Sequence, residues 1–131
     1  KMTPLHWAAE RGNAETVEIL LASGATIGAK NVNGRAPLHL SAKNGRLAVT
    51  RVLLDRGADV DVVDPLEMTP LHWAADGGHS EVATMLLEQG ASVTAQNVNA
   101  QTPSDVALAR GHGTLAQTID QYREQGQASE R

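Results

Sequence analysis

The octapeptide MTPLHWAA occupies residues 2–9 and recurs, letter for letter, at residues 68–75. A third version, APLHLSA, stands halfway between the two at residues 36–42, and a fourth, TPSDVAL, begins at Thr102. The starts at 3, 36, 69 and 102 share one period of 33 residues, the mark of an array of stacked structural units. Two further series keep their own phase: Gly12, Gly45, Gly78 and Gly111, and the segments EILLASGA, VLLDRGAD and MLLEQGAS.

Each unit reads as a pair of helices. Thr followed by Pro supplies an N-cap and a proline at the first helical position, where the missing N–H costs nothing. The in-phase glycine stops this first helix. A second helix is predicted over 14–22, 47–56 and 80–89, ended by Gly24, Gly57 and Gly90 at the position where helices commonly turn left-handed. The stretch from there to the next Thr, rich in Asn, Asp and Gly, predicts a turn or hairpin. Within the first helix Leu71, Ala74 and Ala75 fall at i, i+3 and i+4 and form the buried stripe, so Trp73 is expected to point roughly the other way.

Composition agrees with thin layers. Of 131 residues 41% are apolar, yet the aromatics are only Trp7, Trp73 and Tyr122, so the core must be built from Leu, Val, Ile, Ala and Met. With no cysteine, disulfides, thiol catalysis and Cys-based zinc sites are excluded. The net charge is −4, there is no glycosylation sequon or signal-peptide pattern, and no apolar run approaches the ~20 residues of a membrane span. An intracellular monomer, cytoplasmic or nuclear and away from membranes, is expected.

The in-phase histidines His6, His39 and His72 invite a metal or catalytic reading. Spacing opposes it, because equivalent residues of stacked helices lie about 8–10 Å apart, whereas zinc needs each ligand atom about 2 Å away. The third helical position is instead the place where a side-chain acceptor reaches back to the N-cap N–H. Asp105 stands there in the fourth unit, as an ordinary capping residue would. His79 and His112 read as loop-packing residues. With no phosphate-binding Gly-rich loop, G-x-S-x-G elbow or His-x-x-x-His, neither catalysis nor a cofactor nor a metal is expected. Met2 with Trp7, and Met68 with Trp73, fit a hydrophobic staple across the helix start. The second unit has Arg35 and Leu40 there and the fourth Gln101 and Val106, so the staple is dispensable and partner contact is the competing reading.

The TPLHxAA and LLxxGA motifs, which together cover nearly the whole chain, resemble the ankyrin repeat family. The resemblance implies an all-α repeat solenoid of helix-turn-helix units joined by β-hairpin loops, a concave surface, and a non-catalytic role in binding another protein. It divides the chain into repeat 1 at 1–30, repeat 2 at 31–63, repeat 3 at 64–96, and a capping repeat 4 at 97–124. A disordered tail is expected at 125–131. Repeat 1 lacks its hairpin, so the chain is expected to be either a piece of a longer protein or one whose first helices face solvent unprotected. In repeat 4 the leucine positions become Thr118, Ile119 and Asp120, which gives the cap a polar outer face.

Members of the family bind through hairpin tips and the exposed side of the first helices. Carried onto this sequence, the tips are Asn31, Val32, Asn33 and Arg35; Asp64, Pro65, Leu66, Glu67 and Met68; and Asn97, Val98, Asn99 and Gln101. The helix positions are Trp7, Glu10, Arg11, Leu40, Lys43, Asn44, Trp73, Asp76, Gly77 and Arg110. The candidates for partner contact are Trp7, Arg35, Leu40, Lys43, Pro65, Leu66, Glu67, Met68, Trp73 and Asp76. Two tips depart from the family, with Glu67 and Ala100 where Gly is usual. Charge is uneven: residues 31–63 carry five Lys or Arg against three acids, while 64–96 carry five acids and neither Lys nor Arg. Without a continuous basic patch, direct nucleic-acid binding is disfavoured. The stretch DPLEMTPLHWA and the degenerate last unit are similar to the end of the ankyrin domain in transcription factor complexes, where an ankyrin subunit holds a DNA-binding partner subunit.

Overall fold

Helix starts set the period. In the computed structural model, which describes residues 2–129 and side chains as far as Arg123, Thr3, Thr69 and Thr102 sit in extended backbone ahead of a proline. Each hydroxyl accepts the N–H three residues on, at 3.3, 3.3 and 3.2 Å. The third helical side chain answers: Nδ1 of His6 and His72 accepts the N-cap N–H at 3.2 and 3.1 Å, and Oδ2 of Asp105 does so at 3.0 Å. Ala36 has no hydroxyl, so in the second unit only half of this box forms, from the Ala36 N–H to His39 Nδ1 at 3.0 Å.

The first helices are α1 (Pro4–Arg11), α3 (Pro37–Lys43), α5 (Pro70–Gly77) and α7 (Pro103–Ala109). The second helices are α2 (Ala14–Ala22), α4 (Leu47–Asp55), α6 (Ser80–Glu88) and α8 (Gly113–Ser129). Each pair packs within its unit, and like helices pack along the stack, α1 on α3 on α5 on α7 and α2 on α4 on α6 on α8. The result is two parallel layers of helices. The tail expected at 125–131 lies, apart from the helical backbone to Ser129, outside the described residues.

The predicted stripes make the core. Leu5, Leu38 and Leu71, then Ala9, Ala42 and Ala75, are each at most 1% exposed, and Leu53, Leu86 and Ile119 line up behind them at 0%. Small alanines between leucines let neighbouring helices approach, which is how a chain with so few aromatics closes its interior. In the last unit Ile119 is buried while Asp120 is exposed, in keeping with a polar outer face. Leu108 stands where the other units have Ala9, Ala42 and Ala75, and it is 58% exposed.

The loops between units differ from the expected β-hairpins. No strand occurs among the described residues. Each tip is a tight turn in which the N–H of Asn31, Asp64 or Asn97 bonds to the carbonyl of Arg35, Met68 or Gln101, at 2.9, 3.2 and 3.0 Å. Glu67 and Ala100 adopt φ of 58° and 61°, close to the 73° of Gly34, so all three tips share one shape. For residues with a Cβ that conformation costs about 1–2 kcal/mol.

Two stability changes follow from this packing. Leu53→Ala is expected to cost about 2–5 kcal/mol in urea unfolding, and a loss below about 0.5 kcal/mol contradicts the repeat register. Glu67→Gly is expected to stabilise by about 0.5–1 kcal/mol, because relieving the left-handed strain outweighs the added chain entropy.

Candidate protein-binding face

The histidines reach further than their own helix. With Nδ1 engaged as an acceptor at the helix start, Nε2 carries the proton and donates to the next unit, and in His39 also to Val62 at the end of its own. His6 bonds to the Arg35 carbonyl at 2.9 Å, His39 to the carbonyls of Val62 and Met68 at 2.9 and 3.1 Å, and His72 to that of Gln101 at 2.9 Å. All three rings are fully buried. Both ring nitrogens are therefore committed, and none has a lone pair left for a metal or a substrate proton. Asp105 caps in the same way, but a carboxylate cannot donate onward.

A second stitch runs along the loops between paired helices. Arg46 Nε donates to the Glu10 carbonyl at 2.9 Å, and His79 Nε2 to the Lys43 carbonyl at 2.9 Å. A Cβ on Gly45 would lie 2.6 Å from His79 Nδ1, and one on Gly78 would lie 2.7 Å from His112 Cε1. The loop-packing reading of these two histidines is thus correct.

At the tips, one side chain shapes each turn. Oδ1 of Asn31 accepts the N–H groups of Asn33 and Arg35, Oδ1 of Asp64 those of Leu66 and Met68, and Oδ1 of Asn97 those of Asn99 and Gln101, all between 2.9 and 3.1 Å. Though read as tip positions, these three residues are buried. Their remaining atoms meet the residue before the helix of the preceding unit. Asn31 and Asn97 donate Nδ2–H to the sulfurs of Met2 and Met68, at 3.2 and 3.3 Å, whereas Asp64 accepts from Arg35 Nε at 3.4 Å.

The candidate contact residues divide by burial. Trp7, Lys43, Pro65, Leu66 and Glu67 are exposed, Arg35 and Asp76 are half-buried, and Leu40, Met68 and Trp73 are buried. Trp73 corrects its expected place on the exposed side of the first helices. Its ring faces away from Leu71 yet is only 8% exposed, because Arg35 and Lys43 of the preceding unit cover it, with their charged ends 4.5 and 5.3 Å from the ring centre. Its indole N–H donates to Asp64 Oδ2 at 3.0 Å. Among the described residues Trp7, in the same octapeptide, has no such cover: it stacks with Arg11 at 5.7 Å and is 48% exposed.

Each tip also exposes one large apolar side chain. Val32, Leu66 and Val98 are 79%, 47% and 53% exposed, one at each turn. Between the third and fourth units Leu66, Met68, Trp73, Asp76, Val98 and Arg110 line a shallow groove. Its tips are tied by a main-chain bond from the Val98 N–H to the Leu66 carbonyl, 3.0 Å. Between the second and third tips Pro65 has no N–H to make the matching bond, and its ring packs instead on Gly34, where a Cβ would lie 2.6 Å away. The proline therefore fits its neighbour's glycine.

Burial also governs titration. The imidazoles of His39 and His72 are held below their ordinary value of 6.5, chiefly because burial penalises the charged ring; the nearby Asp64 charge and the accepting carbonyls oppose this only in part. The unfolded chain therefore takes up protons at these positions more readily than the folded one. Their contribution to stability is complete above about pH 6.5 and is lost as pH falls below it. Urea unfolding of the parent chain and of His39→Gln at pH 7.5 and 5.0 checks this, with the variant expected to lose less stability on acidification. Equal losses in both contradict it.

Comparison with known proteins agrees with this architecture. A family model for ankyrin repeats in three copies matches residues 1–64, and one for a single ankyrin repeat matches residues 67–98. No curated protein matches the chain. The matches span well over half of the sequence and coincide with the units whose histidines bridge to the next. The chain belongs to the ankyrin repeat family.

Proposed function

We propose that the chain is a non-catalytic scaffold that binds a protein partner across its hairpin tips and the adjoining side of its first helices. Ankyrin repeats are in general protein interaction modules, which supports the class of function. The observation that carries the surface is the exposure of Val32, Leu66 and Val98, one large apolar residue at each turn, on turns whose first residue is tied inward. Exposed apolar groups beside a groove, as Leu66 and Val98 are here, commonly mark a contact site. The commitment of His6, His39 and His72 to cap and bridge supports the non-catalytic reading.

A narrower reading gives the partner as the DNA-binding subunit of a transcription factor complex. It rests on the stretch at 64–74, which forms the proline-stiffened third tip and the start of α5. No helix among the described residues is long and apolar enough to cross a membrane.

Capture of partners by the parent chain and by Leu66→Asp, Val98→Asp tests the proposal. The double variant is expected to keep its thermal midpoint, because both side chains are exposed, and to lose about 2 kcal/mol or more of affinity for the captured partner. Undiminished capture contradicts the assigned face, and recovery of an ETS-type DNA-binding protein supports the narrower reading.

A further inference from the structure

Lys43 and Asp76 occupy the same place in consecutive units, one period of 33 apart. Asp76 is answered across the stack, since Arg110 Nε of the next unit lies 2.7 Å from its Oδ1. The same step taken from Lys43 arrives at Gly77, which has no side chain. Nor has Gly77 room for one: a Cβ there would lie 2.5 Å from His79 Nε2 and 3.3 Å from the Lys43 carbonyl. Glu10, in the equivalent place one unit earlier, makes no ion pair with Lys43. Among the described residues the ion pairs are those of Arg35 with Asp64 and of Asp76 with Arg110. Lys43 is thus an exposed cation, in a position where the next unit has a matched pair and where the fold leaves no room for a counterpart at Gly77.

Its setting adds direction. The ammonium lies 5.3 Å from the centre of the Trp73 ring, and Trp73 is also a wall of the groove shared with Leu66 and Val98. Arg35, on the same ring, already has Asp64. A chain lying in the groove therefore has an apolar seat and, just across Trp73, one unanswered positive charge. A carboxylate placed there would meet a cation already partly shielded from water by the indole, a favourable arrangement for orienting a partner.

We propose, building on the protein-binding reading above, that this face takes an extended acidic-apolar segment of a partner protein. A large apolar side chain of that segment seats between Leu66 and Val98, and an Asp or Glu of the same segment meets Lys43.

A random peptide library displayed on phage, panned on the intact chain and counter-selected on Leu66→Asp, supplies the probe. Labelled synthetic copies of enriched peptides are then titrated against the parent chain, Lys43→Arg and Lys43→Glu. Enriched sequences are expected to hold Asp or Glu at a fixed spacing from a large apolar residue. Affinity should survive Lys43→Arg, fall about fivefold or more in Lys43→Glu, and recover there when the peptide acid is changed to Lys. Peptides that need Leu66 but bind Lys43→Glu unchanged overturn the acidic preference and leave the binding face standing. A library yielding no peptide that depends on Leu66 overturns both.

Discussion

The stack depends on one hydrogen bond repeated along it, from a buried histidine Nε2 to a main-chain carbonyl of the following unit. Such a bond contributes only about 1 kcal/mol net, but a buried donor and carbonyl left unpaired would cost about 1–3 kcal/mol. The asymmetry makes the bond a constraint more than a source of stability. A unit cannot shift against its neighbour without stranding a ring that also caps its own helix. Local helix formation and long-range stacking are thereby tied through one imidazole, in the manner of nearest-neighbour coupling along a solenoid.

The tips are fixed by a second, more variable coupling. A side-chain oxygen at 31, 64 and 97 always holds the turn, while the partner from the preceding unit changes between methionine sulfur and arginine. Asp replaces Asn where Arg replaces Met, so the pair changes together and the buried groups stay satisfied. In the third unit this exchange also recruits Trp73, whose N–H shares Asp64 with Arg35. The exposure of Val32, Leu66 and Val98 is a consequence: with the first residue of each turn tied inward, the next ones face water.

Much of this was legible in the sequence. The period, the Thr-Pro helix starts, the glycine stops and the leucine and alanine stripes follow from local rules, and each falls where expected to within a residue. The capping role of the histidines was legible from Asp105. Their second bond was not, because it joins residues 29 apart, and helical periodicity says nothing about what lies one unit away. The same limit explains Trp73. Its direction on α5 was read correctly, but its burial is set by Arg35 and Lys43 in the neighbouring unit. Trp7, with the same flanking sequence, shows how little the octapeptide alone decides. Glu67 and Ala100 were read as departures from the family turn; the tip shape survives because the surrounding hydrogen bonds hold a strained backbone in place.

The central claim is that each bridging imidazole accepts at Nδ1 and donates its proton from Nε2, fixed by partners on both sides. Nitrogen-15 NMR of the histidine rings in the intact chain near pH 7 tests it most directly. For His6, His39 and His72 the account predicts no Nδ1–H tautomer and slowly exchanging Nε2 protons scalar-coupled to the carbonyls of Arg35, Met68 or Val62, and Gln101. Rings that average between tautomers, or whose ring protons exchange at the rate of free imidazole, would contradict it.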